Sequence, residues 1–274
     1  MGVIVYPKRR AHIPYGSSID WGHPLANGLV MCATFHEGVQ GGRELVYNRQ
    51  YTSSNGGALS SSMTPAGQGL SCTAGHPALV VGSTDVWNAT TRAVSVFAFF
   101  ALTPLDNIRT QVGKYNADTG LGGWHLAIYA GFQGFYVYVT GGWQGLQDNT
   151  IDVQADPTYH KSLGVYDGSS VRLYVDGRQN VAPVAASGLV AANTVPLVIG
   201  YIAGNTPDRG WNFFLGKVVS TYVWHRALTY NEAQWLHAEP FAMLVPQSPR
   251  VRYWLPAAAP PAGTGARSQV IIIG

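Results

Sequence analysis

Charged residues are scarce in this sequence. Asp, Glu, Lys and Arg make up 11% of its 274 residues, against roughly a quarter in typical soluble domains. The net charge is only +3, and the one basic cluster is Lys8–Arg10. A nucleic-acid-binding surface needs Lys and Arg spread across a whole face of a domain. We therefore expect no nucleic-acid partner.

Long apolar runs and metal-type cysteine motifs are also missing. No run of about 18 apolar residues occurs, so we expect no membrane insertion. The N-terminal segment MGVIVYPKRR has its apolar residues before its basic ones, unlike a secretory signal, and we expect folding in a cytosol. Cys32 and Cys72 lack the CxxC spacing of zinc sites. Because both lie in apolar segments, we predict two buried, reduced thiols.

Glycine and aromatic residues are abundant instead. The sequence has 33 Gly, 15 Tyr and 8 Trp, a composition that favours turns and pleated strands. In segment 92–102 (RAVSVFAFFAL), apolar residues occupy both the odd-numbered and the even-numbered positions. Because alternate side chains of a strand point to opposite faces, this pattern predicts a strand buried on both faces. In the segment GGWHLAIYAG, Trp124, Leu126 and Ile128 share one face. Only GFQG separates this segment from FYVYV, so the two predict a hairpin.

One helix is predicted, late in the chain. Thr229 is followed three residues later by Glu232, which is the spacing of a capping box, and Pro240 ends the helical pattern. Many short strands with glycine-rich turns and a single helix predict an all-β jelly-roll sandwich.

Two Asp-Gly pairs flank the alternating segment VRLYV. If residues 168–176 form one strand, Asp167 and Asp176 lie roughly 30 Å apart. Paired glycosidase carboxylates need about 5–9.5 Å, so these two cannot share a catalytic or metal site. We interpret both pairs as turns at the ends of one strand.

Catalytic patterns are absent from the sequence. It has four Glu (residues 37, 44, 232 and 239) and no predicted strand carries two of them, whereas glycosidases generally use a pair of carboxylates that flank the scissile bond. No G-x-S-x-G or H-E-x-x-H motif occurs. We therefore expect no catalytic residues and no enzymatic activity.

Two kinds of ligand site remain open. One is a calcium site, because the segment QDNTIDVQADP offers carboxylate ligands; the alternative is a solvated acidic loop. The other is a glycan site, formed by aromatic rings and amides beside glycine-rich turns. The calcium candidates are Asp148, Asp152 and Asp156, and the glycan candidates are Trp143, Gln144, Asn149, Asn205, Asp208 and Trp211. No other cofactor is expected.

The order of motifs along residues 92–238 resembles a known family. The segments VGKYNADTGLGGWHLAI, YHKSLGVYDGSSVRLYVDGRQ, PLVIGYIAG and FFLGKVVSTYVWHRALTYNEAQWL occur in the order typical of the laminin-G-like branch of the concanavalin A-like lectin/glucanase superfamily. The resemblance implies a concanavalin A-like jelly-roll sandwich. Val219-Ser220 stand where that family often carries an acidic residue, which weakens the case for calcium.

The flanking segments IDWGHPLANGLVMCATFHEG and AEPFAMLVPQSPRVRYWLP resemble laminin-G-like proteins of tailed bacteriophages and prophages. We therefore expect an N-terminal arm (1–25), a sandwich (26–240) and a C-terminal extension (241–274) with an Ala/Pro/Gly linker and a terminal strand, QVIIIG.

The resemblance implies a non-enzymatic structural protein of a virion, a decoration or fibre-type module on capsid or tail. It would fold in the host cytoplasm, form a homo-oligomer and dock on other virion proteins through residues 1–25 and 241–274. The alternative is a carbohydrate-binding receptor or adhesion module that recognises host surface glycans.

Overall fold

A computed structural model describes residues 12–13, 16–40, 42–53, 58–73, 79–82, 85–88, 91–103, 109–116, 122–140, 142–201 and 214–246. The early strands are β1 (Ser17–Ile19), β2 (Leu29–Thr34), β3 (Thr52–Ser53), β4 (Ser60–Thr64), β5 (Gly67–Cys72), β6 (Leu79–Gly82), β7 (Val94–Leu102), β8 (Arg109–Lys114) and β9 (Trp124–Tyr129). The later strands are β10 (Phe132–Val139), β11 (Gly142–Asp152), β12 (Tyr159–Tyr166), β13 (Ser170–Val175), β14 (Val184–Ala185), β15 (Leu197–Ile199), β16 (Gly216–Trp224) and β17 (Leu244–Pro246). A 3₁₀ turn covers Pro24–Ala26, and the helices are α1 (Asp85–Asn88) and α2 (Tyr230–Ala238).

Two antiparallel sheets pack face to face, which confirms the predicted jelly-roll sandwich. The seven-stranded sheet has the order β11-β10-β9-β8-β15-β6-β3. The second sheet has the order β14-β13-β12-β7-β16-β5-β4, and β2 also pairs with β16. Strands β11 and β14 are therefore edge strands on the same side of the sandwich, where they contact each other.

Strand β7 is buried along its whole length, as its sequence predicts. One face, which includes Val96 and Phe100, joins the core between the two sheets. The opposite face, with Phe97 and Phe99, joins a second core. That second core lies on the outer side of the eight-stranded sheet, beneath helix α2 and the two-stranded ribbon of β1 and β17.

The two sheets interlock where Phe135 meets Gly164. Phe135 belongs to β10 and is fully buried, and Gly164 belongs to β12 in the other sheet. A Cβ atom added to Gly164 would overlap the Phe135 ring at Cγ, Cδ1 and Cδ2. The ring therefore rests directly on the backbone of the opposite sheet, an approach that only glycine permits.

The second core brings together the first and the last described segments of the chain. Trp224, fully buried, donates an indole hydrogen bond of 2.6 Å to the Leu25 carbonyl. Ser17–Ile19 pair with Leu244–Pro246 in an antiparallel ribbon, so these early and late segments of the chain lie side by side. Residues 1–11 and 247–274, which include the predicted terminal strand QVIIIG, lie outside the described residues.

Helix α2 begins with the predicted capping box. The Thr229 hydroxyl accepts the Glu232 N–H, and the Glu232 carboxylate accepts the Thr229 N–H at 2.9 Å. The same carboxylate receives two hydrogen bonds from the Arg226 guanidinium, at 2.6 and 2.9 Å. These bonds together lower the Glu232 pKa although burial acts to raise it. Glu232 therefore has a structural role.

The β9–β10 hairpin is confirmed, but its turn is shorter than the sequence predicts. Ala130 and Gly131 connect the strands with φ of 48° and 89°, the left-handed conformation that two-residue hairpin turns use. Three residues of the predicted GFQG connection, Phe132 to Gly134, pair with β9 instead. The polar Gln133 remains in the strand because its side-chain amide is buried and bonded to Gln111 and the Ala127 carbonyl.

Both Asp-Gly pairs form turns at the ends of β13, as predicted. Asp176 and Gly177 both have positive φ, 49° and 78°, and close a tight turn. In the first pair only Gly168 has positive φ, at 92°. There the Asp167 carboxylate accepts the Ser169 and Ser170 N–H groups. Burial acts to raise its pKa, but these bonds and those from the two serine hydroxyls bring it down to about 2.

The Asp176 carboxylate also holds strand β12. His160 Nδ1 lies 2.7 Å from one oxygen and the Lys161 N–H donates to the other. Burial acts to raise the Asp176 pKa, and the bonds from His160 and Lys161 outweigh it, so the pKa lies below its ordinary value. The two Asp carboxylates are therefore structural.

Cys32 and Cys72 are free and buried, as the sequence predicts. Burial raises the pKa of Cys72 to about 12. None of the described helices is long and apolar enough to span a membrane.

Candidate functional site

Six rings lie together on the outer side of the seven-stranded sheet. They come from the end of β8 and from β9, β10 and β11, at positions that alternate with the core residues Trp124, Leu126 and Val137. Cross-strand pairing places His125 opposite Tyr136, and Tyr138 opposite Trp143. We call this surface the aromatic face: Tyr115, His125, Tyr129, Tyr136, Tyr138 and Trp143.

Glycines let one of these rings lie flat on the sheet. Tyr136 has Gly145 directly opposite on β11 and Gly134 two residues earlier on its own strand. A Cβ atom at Gly145 would overlap one edge of the Tyr136 ring, and a Cβ atom at Gly134 would lie 2.6 Å from Cε2 on the other edge. The ring therefore covers both glycines and turns one of its faces away from the sheet.

Two of the other rings, His125 and Tyr129, contact this flat ring, and the rest of the group contacts His125 or Trp143. His125 is parallel to Tyr136, with 5.1 Å between centroids and 15° between planes, and to Tyr115, at 5.4 Å and 23°. Trp143 stands nearly perpendicular to Tyr115, at 4.7 Å and 85°. Tyr115, Tyr129, Tyr136, Tyr138 and Trp143 are all half-buried.

The aromatic face is electrically neutral. His125 is 5% exposed, and burial lowers its pKa to about 3, so the imidazole is uncharged at neutral pH. Its Nε2 atom lies 2.8 Å from the Tyr129 hydroxyl. Burial raises the pKa of Tyr129 and of Tyr136, which keeps both phenols protonated. Gln147 lies at the margin and donates its amide to the Tyr129 carbonyl.

Of the predicted glycan residues, one belongs to the aromatic face. Trp143 lies in β11 rather than in a turn, and contacts three of the other rings. Gln144 pairs with the inward-facing Val137, so it lies on the opposite side of the strand. Asn149 is exposed further along β11. Three predicted residues lie outside the described part of the chain: Asn205, Asp208 and Trp211.

Sequence reasoning missed the five other rings. The alternation of GGWHLAIYAG assigns His125 and Tyr129 to the side opposite the core residue Leu126. The same period in GFYVYV assigns Tyr136 and Tyr138 to one side. What the sequence did not show is that β9 and β10 place these residues side by side on the outer surface.

The predicted calcium ligands are not brought together. Asp148 is fully buried and accepts hydrogen bonds from Thr150 and from the Asn180 amide at 2.8 Å. Asp152 and Asp156 each accept N–H groups from residues two positions on. Among the described residues, no group of three or more His, Cys, Asp or Glu side chains could hold a metal ion.

Two of the four glutamates have structural roles. Glu44 is fully buried and accepts the N–H groups of Val46 and Tyr47, and its burial raises its pKa. Glu232 caps helix α2. None of the four glutamates lies in a strand.

Several solved structures share the fold. The binding domain of Paraclostridial Mosquitocidal Protein 1 is similar over 80% of this chain and 53% of its own length, with TM-score 0.61 and 11% identity. A second similar structure comes from work on botulinum neurotoxin type C, whose cell entry depends on two ganglioside molecules. Its TM-score is 0.59 and its identity 12%, over 78% of this chain and 51% of that one. The chain thus spans about half the length of these proteins.

Domain 4 of AbnA, an extracellular arabinanase from Geobacillus stearothermophilus solved with arabinotriose, is matched over 98% of its length and 76% of this chain. Its TM-score is 0.54 and its identity 13%. No curated protein sequence matches the chain significantly. The family model Laminin_G_3 matches residues 74–234, more than half of the chain. With the two-sheet architecture, that match establishes that the chain belongs to the concanavalin A-like lectin/glucanases superfamily.

Proposed function

We propose that this protein is a non-catalytic carbohydrate-binding module that holds glycans on its aromatic face. The observation that carries the proposal is Tyr136, which lies flat over Gly134 and Gly145 in the same group of rings as Trp143. The His125 ring joins the two, with 5.1 Å between its centroid and that of each. A sugar ring has an apolar side made of C–H groups and a rim of hydroxyls. Flat aromatic rings match that apolar side, and a few polar groups at the margin fix the orientation of a ligand.

The polar margin of the aromatic face fits this role. The Tyr136 hydroxyl and the Gln147 amide lie together, with 3.5 Å between Tyr136 Oη and Gln147 Oε1. Both groups are uncharged, as are the protonated phenols and the neutral His125. We therefore infer a preference for neutral glycans, because a buried charge needs a partner of opposite sign.

Similar structures support a binding role. Cell entry of botulinum neurotoxin type C depends on interaction with two ganglioside molecules, and the arabinanase domain was solved with arabinotriose. In this chain two of the four glutamates have structural contacts, Glu44 with backbone N–H groups and Glu232 with a helix N-terminus. These contacts support binding without hydrolysis.

The test is a glycan array on the wild-type chain, followed by calorimetry with the best neutral oligosaccharide. We expect Trp143→Ala and Tyr136→Ala each to weaken binding by about tenfold or more, as aromatic hot-spot residues do. Trp235→Ala is the matched control, because Trp235 is 38% exposed on helix α2, away from the aromatic face. An array without any binder at high protein concentration would refute the proposal.

A second proposal is that the module is a structural component of a bacteriophage virion, on capsid or tail. The ribbon of β1 and β17 favours it, because Ser17 and Pro246 are paired and both terminal segments continue from this point. Two segments that leave together can dock on neighbouring virion proteins and join copies of the chain into a homo-oligomer. The two proposals are compatible.

Deletion of residues 257–274 tests the virion proposal. We expect the truncated chain to fold, because the described part of the chain, through residue 246, already contains both cores, and to be absent from assembled particles. Purified particles would be probed for the chain by mass spectrometry, with circular dichroism as the check on folding. Normal incorporation of the truncated chain would contradict this role for the extension.

A further inference from the structure

A second candidate site is a cavity at the open edge of the sandwich, on the other side of strand β11 from the aromatic face. Its volume is about 260 Å³. Its walls come from the ends of β10 and β14, from β11, and from the turn between β12 and β13. The lining residues are Val139, Thr140, Gln144, Ser169, Ala185, Ala186 and Ser187.

The lining is apolar at the bottom and polar at the rim. Val139 and Ala186 are buried, Gln144 is half-buried, and the exposed lining residues are the polar Thr140, Ser169 and Ser187 together with Ala185. None of the seven lining residues is ionisable. Within the described ranges, the Thr140 and Ser187 hydroxyls and the Gln144 amide have no protein hydrogen-bond partner, so they are available to a ligand.

The walls of this cavity are held in place by backbone contacts. The Ala186 N–H donates to the Ser169 carbonyl at 2.9 Å, which joins two of the walls. The buried Tyr166 donates its hydroxyl to the Gly188 carbonyl at 2.7 Å. Gly188, at φ 121°, packs against Thr140, where an added Cβ atom would lie 3.2 Å from the threonine side chain. A site that is formed before the ligand arrives loses less entropy on binding.

We propose that this edge cavity binds a single neutral sugar ring. Pockets for drug-sized ligands are about 300–1,000 Å³, so a cavity of about 260 Å³ fits a smaller molecule. An apolar floor and a rim of hydroxyls and an amide match the C–H side and the hydroxyl rim of one pyranose or furanose. The absence of any charge in the lining selects against anionic sugars. The site is separate from the aromatic face and does not depend on it.

The test is an NMR titration of the full chain with methyl glycosides of D-glucose, D-galactose and L-arabinose. We expect backbone and side-chain amide shifts at Gln144, Ser169 and Ser187 for at least one of them, with dissociation constants in the millimolar range, because so small a ligand makes few contacts. D-glucuronate has the same ring size and a charge, and should bind at least about tenfold more weakly.

Two variants distinguish this cavity from other binding. Ser187→Phe places a ring in the cavity from an exposed position, so the fold is retained and the shifts at Gln144 and Ser169 should disappear. Leu189→Phe adds the same ring at a neighbouring exposed residue outside the lining, and should leave the shifts unchanged. Gln144→Ala, which removes the amide, should weaken binding about tenfold.

Three results would overturn the edge-cavity proposal. One is shifts confined to Tyr136 and Trp143, which would leave the proposed function intact. Another is shifts at Gln144 that persist in Ser187→Phe. The third is no shift at any residue at tens of millimolar sugar.

Discussion

Phe135→Ala is expected to lower the free energy of unfolding by about 3–5 kcal/mol, as large-to-small changes of buried aromatic residues do. The ring is fully buried and spans the space between the two sheets, where it rests on the Gly164 backbone. Its removal leaves a void with both sheets as walls, and neither sheet can collapse into it without losing strand pairing. Urea unfolding followed by circular dichroism measures the change.

The partner glycine provides the control for this prediction. Gly164→Ala adds a methyl group where the Phe135 ring lies, and overpacking of this kind costs about 1–3 kcal/mol. In the double variant Phe135→Leu, Gly164→Ala, the smaller side chain makes room for the methyl group. The double variant should therefore be more stable than the sum of the two single changes predicts. Additive costs would show that the contact between ring and glycine is energetically unimportant.

Trp224→Ala is expected to have an effect of similar size, about 3–5 kcal/mol, on the second core. The indole is fully buried and donates to the Leu25 carbonyl, which the substitution leaves without this partner. Residues 17–26 should then become sensitive to protease, because that hydrogen bond ties them to β16. Unfolding in urea gives the energy, and limited proteolysis with mass spectrometry locates the opened segment.

Trp235→Ala is the matched control, since the same residue type is lost from an exposed position on helix α2. We expect it to change stability by less than about 1 kcal/mol. Equal losses for the two tryptophans would contradict the assignment of Trp224 to the second core.

Local periodicity accounts for most of what the sequence predicts correctly. The apolar segment at β7 is central to its sheet and buried on both faces. The Thr229–Glu232 spacing gives the start of helix α2. Both features depend on neighbouring residues in the chain, whose side-chain directions are fixed by the geometry of a single element.

The two candidate binding surfaces depend on contacts that periodicity does not encode. Trp143 and Gln144 are adjacent in sequence and were predicted to form one site, but in a strand they point to opposite faces. Which rings lie near Trp143 is decided by the register of β9, β10 and β11. The edge cavity also needs Ala185 and Ser187, from a short segment without any alternating pattern.

The second core gives the module a front and a back. Helix α2 and the terminal ribbon cover the outer side of the eight-stranded sheet, whereas the aromatic face occupies the outer side of the other sheet. The ribbon of β1 and β17 is thus separated from the aromatic face by the full thickness of the sandwich. A copy anchored by its terminal segments would turn the aromatic face outward, and an array of such copies would present many copies of the proposed glycan site to one surface at once. Avidity would then raise the affinity of the array far above that of one module.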